Sequence, residues 1–427
     1  MLRSYHRTTF IVKVFASFLF SIFQLYIQPG DTVALFFPEG HHLYQLILQD
    51  PAHLDLLFNP GASFDHGLVS AQGNAGYFAD ESNFMVIRIV AIFCFFTFGK
   101  FMAINLFFAM FAFTGIWRLF RFFYEQYPQL HKQFAISLLY LPTFVFWSSG
   151  MMKDPISIGA LGWFTYAAFH LFYQKDHFAR HILTLLIVGY LLTVIKIYII
   201  VSYLPMFALY LILKNVTLIQ NKAVKVVIIL CFVVGSIFSF VTVASSLQGA
   251  LGGFAAEGLT ESVSSYQSSY QKQGGRSEGS YFSLGVEFDG SVGSLAKLAP
   301  AAIVATLFRP YIWESKKIST LLTSFESLAI MLFTLFVFVR VGPKKFLLTI
   351  LQKPIVLYCF CFSLVFALFV GATTLNFGTL IRYKIPAIPF YLVSMFFILY
   401  FNKKLKKVGL QSEKTITESP LPPISPA

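Results

Sequence analysis

A small set of ionisable residues in this chain has the types and positions needed to hold a phosphate and activate a hydroxyl. Asp31 follows Pro29 and Gly30 directly after the first apolar run, and Asp80 and Glu81 precede another apolar segment. A carboxylate held at the level of lipid headgroups can serve as general base towards an incoming hydroxyl. Lys153, Lys196, Arg309, Arg382 and Lys384 stand at the ends or turns of other apolar runs, in FWSSGMMKDP, KIY, LFRPYIWE and RYKIPAIPF. Arginine grips phosphate oxygens through a planar fork and lysine acts as a point charge. Ser148, Ser149 and Gly150 add hydroxyls and amides beside Lys153 and Asp154, just before Pro155, a pattern suited to a phosphate or sugar at a helix start. Each residue alone also fits a helix-end acid or a snorkelling cation. Together they read as one anionic-ligand site, with Asp31, Asp80 and Glu81 as catalytic candidates and the five cations as binding candidates.

The elements that must position them are membrane spans. Of 427 residues, 57% are hydrophobic, 18% aromatic and only 12% charged, whereas soluble domains carry roughly 25% charged residues. That composition excludes a soluble globule. Apolar runs near the roughly 20 residues needed to cross a bilayer occur at about 9–28, 101–117, 134–150, 156–173, 223–245, 318–341, 354–373 and 385–401. Residues 182–213 are too long for one crossing and have basic flanks, which predicts a two-helix hairpin with Lys196 at its outer turn. Residues 84–98 are too short, and predict an interfacial or re-entrant helix.

Charge orders these spans. Residues 29–83 contain seven carboxylates and no Lys or Arg, although the chain carries a net charge of +13. Ten crossings with both termini cytoplasmic place nineteen Lys and Arg inside and ten outside, as the positive-inside preference requires. The alternative is eleven crossings, with 84–98 spanning. The expected fold is therefore all-α: a polytopic transmembrane helix bundle over residues 1–401, with an acidic outer loop at 29–83. A second, Ser/Gly-rich outer loop at 245–317 ends in a segment, Leu298 to Glu314, expected to lie on the membrane or to form part of a lid. Residues 402–427 are expected to be a disordered cytoplasmic tail.

Several classes of function lose support. The basic balance lies in connectors between spans, so it does not call for nucleic acid. Cys94, Cys231, Cys359 and Cys361 all fall in apolar runs and read as packing residues. His41, His42, His53 and His66 share the acidic loop and would admit a divalent metal as cofactor, but they show no ligand spacing and read as exposed loop histidines. No phosphate-binding glycine loop, dinucleotide fingerprint, nucleophile elbow or HExxH motif is present.

With Gly30-Asp31 after the first span and the segments FWSSGMMKDP, LFRPYIWE and RYKIPAIPF, the chain resembles bacterial multi-pass proteins of surface-glycan assembly. The nearest likeness is to polyprenyl-phosphate-dependent glycosyltransferases of the GT-C fold, with O-antigen-polymerase-like proteins second. The resemblance implies transfer of a sugar or glycan from a lipid-linked donor at the outer face of the inner membrane. It makes the partners a lipid-linked glycan and membrane lipids. It carries the loop base onto Asp31, with Asp80 and Glu81 as contenders, and the carrier-phosphate contacts onto Arg382 and Lys384. The chain departs from the usual GT-C pattern in lacking a soluble C-terminal domain and a clear paired-acid motif, which keeps a polymerase or ligase open, and a lipid-linked glycan transporter behind it.

The charge count makes a topological prediction. In a cysteine-free background, single cysteines at Ser63 and Ser268 should react with an impermeant thiol reagent from outside, and those at Gln129 and Gln411 should be protected. External labelling at Gln129 would turn residues 84–98 into a crossing.

Overall fold

The computed structural model describes residues 2–59, 80–215, 281–285 and 292–417 together with helical positions 224, 227, 230, 231, 234 and 235. The expected span at 223–245 is thus described only at isolated positions. The remainder of the acidic loop and most of the Ser/Gly-rich loop lie outside the described residues.

About 87% of the structure is helical, with no strand among the described residues. In chain order the helices are α1 (Leu2–Ile22), α2 (Phe37–Gln49), α3 (Glu81–Thr97), α4 (Phe101–Gln126), α5 (Pro142–Trp147), α6 (Lys153–Phe169) and α7 (Phe178–Asn215). They continue with α8 (Val292–Phe308), α9 (Ile318–Val341), α10 (Pro343–Gln352), α11 (Pro354–Thr373), α12 (Phe377–Tyr383) and α13 (Ile388–Thr417). Long runs of Phe, Leu and Ile take this form because a helix satisfies every backbone group within the segment where no water can. Five elements are long and apolar enough to cross a membrane: Leu2–Ile27, α4, α7, α9 and α11. A sixth is obtained if α12 and the start of α13, bent by 58°, count as one broken span.

α6 sets the axis of the bundle, running from Asp154 at one end to His170 at the other. α7 doubles back along it, breaking its helical conformation at Lys196 (φ −151°, ψ 73°). Lys196 meets Asp154, whereas His181, near the start of α7, packs its ring 5.4 Å from that of His170. Lys214, near the far end of α7, lies over the Phe169 and Tyr173 rings. Both ends of α7 therefore sit at the His170 end, and Lys196 is the turn of a hairpin. α3 has both ends at the Asp154 end: Asp80 contacts Lys153, and α4, which follows α3 after a short turn, accepts the Met151 N–H at Asn105 Oδ1, 2.7 Å.

α4 and α6 pack closer than side chains allow. A Cβ on Gly115 would fall 1.9 Å from the Gly159 carbonyl oxygen, and one on Gly162 would fall 2.0 Å from that of Gly115. Small residues that let backbones touch are a main source of helix association in lipid, where hydrophobicity alone drives little.

Four expectations are revised. Residues 134–150 do not form one helix: Pro142 holds Leu141 extended (ψ 118°) and ends the preceding turn. The described part of the acidic loop is helical, with α2 burying Leu43 and Ile47 beneath α3. α8, expected on the membrane or in a lid, packs one face into the bundle. Leu298 and Ala302 are fully buried, and Thr306 Oγ1 donates to the Ala367 carbonyl of α11, 2.8 Å. α13 continues to Thr417 through residues read as tail, since Lys, Leu, Gln and Glu favour a helix and no proline intervenes before Pro420.

The glycine contact predicts that Gly115→Val or Gly162→Val should prevent accumulation of folded protein. Gly189→Ala, whose Cβ meets nothing within 4 Å, should keep or raise thermal stability, as expected for alanine in a helix. Melting temperatures and yields of detergent-purified variants check both.

Candidate functional site

Four segments far apart in sequence bring charge to the Asp154 end. Asp154 lies in the first turn of α6, where a carboxylate complements the positive helix terminus and Pro155 costs no hydrogen bond. Its Oδ1 accepts from Lys196 Nζ at 2.5 Å, and its Oδ2 lies 3.7 Å from Arg382 Nε. Arg382 Nη1 also reaches Asp31 Oδ2 at 3.4 Å. Exposure grades outward across this cluster: the side chains of Asp154 and Lys196 are 1% and 4% exposed, that of Arg382 22% and that of Asp31 41%. The buried centre is an ion pair, and its rim is a carboxylate and a guanidinium facing outward.

Local structure explains each placement. Lys196 occupies the α7 break, with its ammonium 4.6 Å from the Tyr383 ring centre. Arg382 ends α12, which begins at an Asn376 cap accepting from the Gly378 amide at 2.8 Å, and Pro386 and Pro389 then force the bend into α13. Asp31 is held near the cluster because the next residue, Thr32, donates to the Met151 carbonyl at 3.0 Å.

The other candidates divide. Lys153 lies next to Asp154 in the chain and bonds to Ser82 Oγ and to Asp80 Oδ2, the latter at 3.3 Å. Asp80 also caps α3, its Oδ1 accepting from the Ser82 amide at 2.9 Å. Glu81 pairs instead with Arg88, whose guanidinium also donates to the carbonyls of Leu56 and Asn59. Lys384 is buried and donates to the Arg309 carbonyl and Ser327 Oγ, both at 2.8 Å. Arg309 pairs with Glu314, donates to the Ser283 carbonyl and lies over the Phe282 ring, 4.3 Å from its centre. Asp31, Asp80, Lys153, Lys196 and Arg382 thus form or border one cluster. Arg309 and Lys384 knit the 281–284 segment, α8 and α9 to α12.

The reading of FWSSGMMKDP as a phosphate or sugar site meets a competitor that the sequence did not disclose. Ser148 and Ser149 are fully buried and face Lys13 in the middle of α1. Lys13 Nζ donates to Val145 O, Ser148 O, Ser148 Oγ and Ser149 Oγ at 3.1, 2.7, 2.5 and 2.9 Å. The hydroxyls expected to hold a phosphate are therefore acceptors for a buried ammonium. The signal was a lone lysine inside an apolar run and a Ser-Ser pair at a helix break. Among the described loop histidines, His41 stacks on Phe37 at 5.7 Å between ring centres.

No family model, no curated protein and no solved structure matches this chain.

Removing one partner of a buried ion pair leaves an uncompensated charge and typically costs about 3–5 kcal/mol. Asp154→Ala and Lys196→Ala should each lower the melting temperature sharply, and the double variant should be more stable than either single one. A thermal-melt double-mutant cycle in detergent checks the sign of the coupling.

Proposed function

We propose that this chain is a membrane transferase that moves a sugar or glycan from a lipid-linked phosphate donor to a hydroxyl acceptor, at the outer face of a bacterial cytoplasmic membrane. In this reading the chain crosses ten times with both termini inside. The doubled-back α7 and the placement of both ends of α3 at one end of the bundle support that count. The observation that carries the functional reading is the Asp31–Arg382 pair on the rim of the buried Asp154–Lys196 pair.

The distances apportion the roles. Charge-assisted bonds run near 2.7–2.9 Å, so Lys196 is fully committed to Asp154 at 2.5 Å, while Arg382 reaches its two carboxylates only at 3.4 and 3.7 Å. A donor phosphate on Arg382 and Lys153 would displace Asp31 and free its carboxylate. Asp31 then takes the acceptor O–H proton as the acceptor oxygen bonds to the anomeric carbon. The bond from that carbon to the carrier phosphate breaks, and Arg382 and Lys153 stabilise the departing phosphate. Lys196 and Asp154 position Arg382, and Arg309 and Lys384 brace α12.

A specific observation favours one second reading, a transporter of lipid-linked glycan. Lys13 is an ionisable group at the middle of α1 that faces the interrupted segment carrying α5, and ionisable groups inside a membrane together with interrupted helices mark transport pathways.

Asp31→Asn should insert normally yet lose roughly 10²–10⁴-fold of product formation, the usual worth of a general base. Arg382→Lys should be impaired, and Arg382→Ala more so, because the fork is lost before the charge. Glycan products and lipid-linked intermediates from cells at matched protein levels decide it. Donor accumulating where an external phosphatase can reach it supports the transferase, donor trapped inside supports the transporter, and wild-type product from Asp31→Asn sinks the mechanism.

A further inference from the structure

At the end of α6 opposite Asp154, His170, Asp176 and His181 place one ligand atom each within 4.8 Å of one another. His170 stands in the wide turn His170–Gln174 that finishes α6, Asp176 in the connector, and His181 in the first turn of α7. The connector is held in a sparsely populated conformation. Lys175 and His177, on either side of Asp176, have φ of 58° and 40°, a left-handed region that non-glycine residues seldom occupy. The outcome is a carboxylate turned to both imidazoles: Asp176 Oδ1 lies 3.0 Å from His170 Nδ1 and 3.3 Å from His181 Nε2. The remaining nitrogen of His170, Nε2, lies 3.2 Å from Glu125 Oε2, and Arg121 Nε holds that carboxylate by its other oxygen at 2.9 Å. An imidazole whose far nitrogen is fixed by a carboxylate, leaving the near one for an ion, is the arrangement that metal-ligating histidines adopt.

We infer that His170 Nδ1, Asp176 and His181 Nε2 bind a divalent first-row transition metal of the zinc type. Two imidazoles and a carboxylate suit zinc and leave a fourth tetrahedral position. That position opens on a cavity of about 350 Å³ also bordered by Arg118, Arg121, His177 and Arg180. Facing those cations, it takes water or an anion. The ion clips the end of α6 to the start of α7 and, through Glu125, to α4. Because α6 separates this group from the Asp154 cluster, the inference does not rest on the transferase reading.

The test uses the full chain without a polyhistidine tag, stripped with a chelator in detergent and titrated with Zn²⁺ by calorimetry. One zinc per chain is expected, with a rise in melting temperature by mass action. Resolvable binding should vanish in His181→Ala and in Asp176→Asn, neither of which removes the contact of the His170 ring with that of Tyr166, 4.1 Å between centres. It should weaken roughly 10–100-fold in Glu125→Gln, the usual effect of removing such an outer partner. His42→Ala, far from the group, should bind as the wild type does. Absence of binding to the wild type, or stoichiometric binding that survives both His181→Ala and Asp176→Asn, overturns the inference.

Discussion

The Asp154–Lys196 pair is the constraint around which one end of this bundle is built. A carboxylate and an ammonium, each almost fully buried, are tolerable only with close geometry and further partners, since desolvation costs several kcal/mol per ion. Meeting that demand requires α7 to abandon helical conformation at Lys196. It also brings Arg382 to the second oxygen of Asp154, which fixes where α12 ends and α13 begins. Asp31, the most exposed of the four, joins the cluster through Arg382. Residues 31, 154, 196 and 382 thus converge as two acids and two cations whose formal charges balance.

The other buried cations follow a common rule. Lys13 is held by carbonyls at the end of α5, Lys384 by the Arg309 carbonyl just past α8, and Arg88 by the carbonyls of Leu56 and Asn59 at the end of the Pro51–Leu57 turn. The last carbonyls of a helix have no partner within it and carry the negative end of its dipole. Asp154 shows the converse, an acid in the first turn of α6. Helix ends brought inside the bundle therefore serve as counter-charges, and the irregularities at Pro142, Lys196 and Pro386 lie where those ends are needed.

α6 links two chemically different poles. Its N-terminal pole gathers Lys and Arg around acids, with the rim open outward. Its C-terminal pole gathers imidazoles around Asp176 and Glu125. Between them the glycine contact of α4 and α6, and the hydroxyl chain from Thr165 through Tyr203 to Tyr358, leave little freedom for sliding.

Composition and period alone established an all-helical chain of long apolar segments, because a backbone in lipid has almost no other way to satisfy its hydrogen bonds. The hairpin at Lys196 was legible too: a segment too long for one crossing with a cation at its centre must turn there. The same reasoning marked 84–98 as too short to cross, and α3 does keep both ends at one pole. Charge type also singled out Asp31, Lys153, Lys196 and Arg382, since ionisable groups in such a chain are costly enough to be conspicuous. Sequence could not apportion them. Glu81 answers to Arg88 two turns along its own helix, whereas the Ser148 and Ser149 hydroxyls answer to Lys13 and Lys384 to a carbonyl, pairings that depend on how helices pack. The His170–Asp176–His181 group was equally hidden, its ligands divided between a helix end and a connector whose left-handed residues no composition announces. Element type is a property of local segments and their solvent; which charge meets which is a property of distance, and distance exists only once the chain is folded.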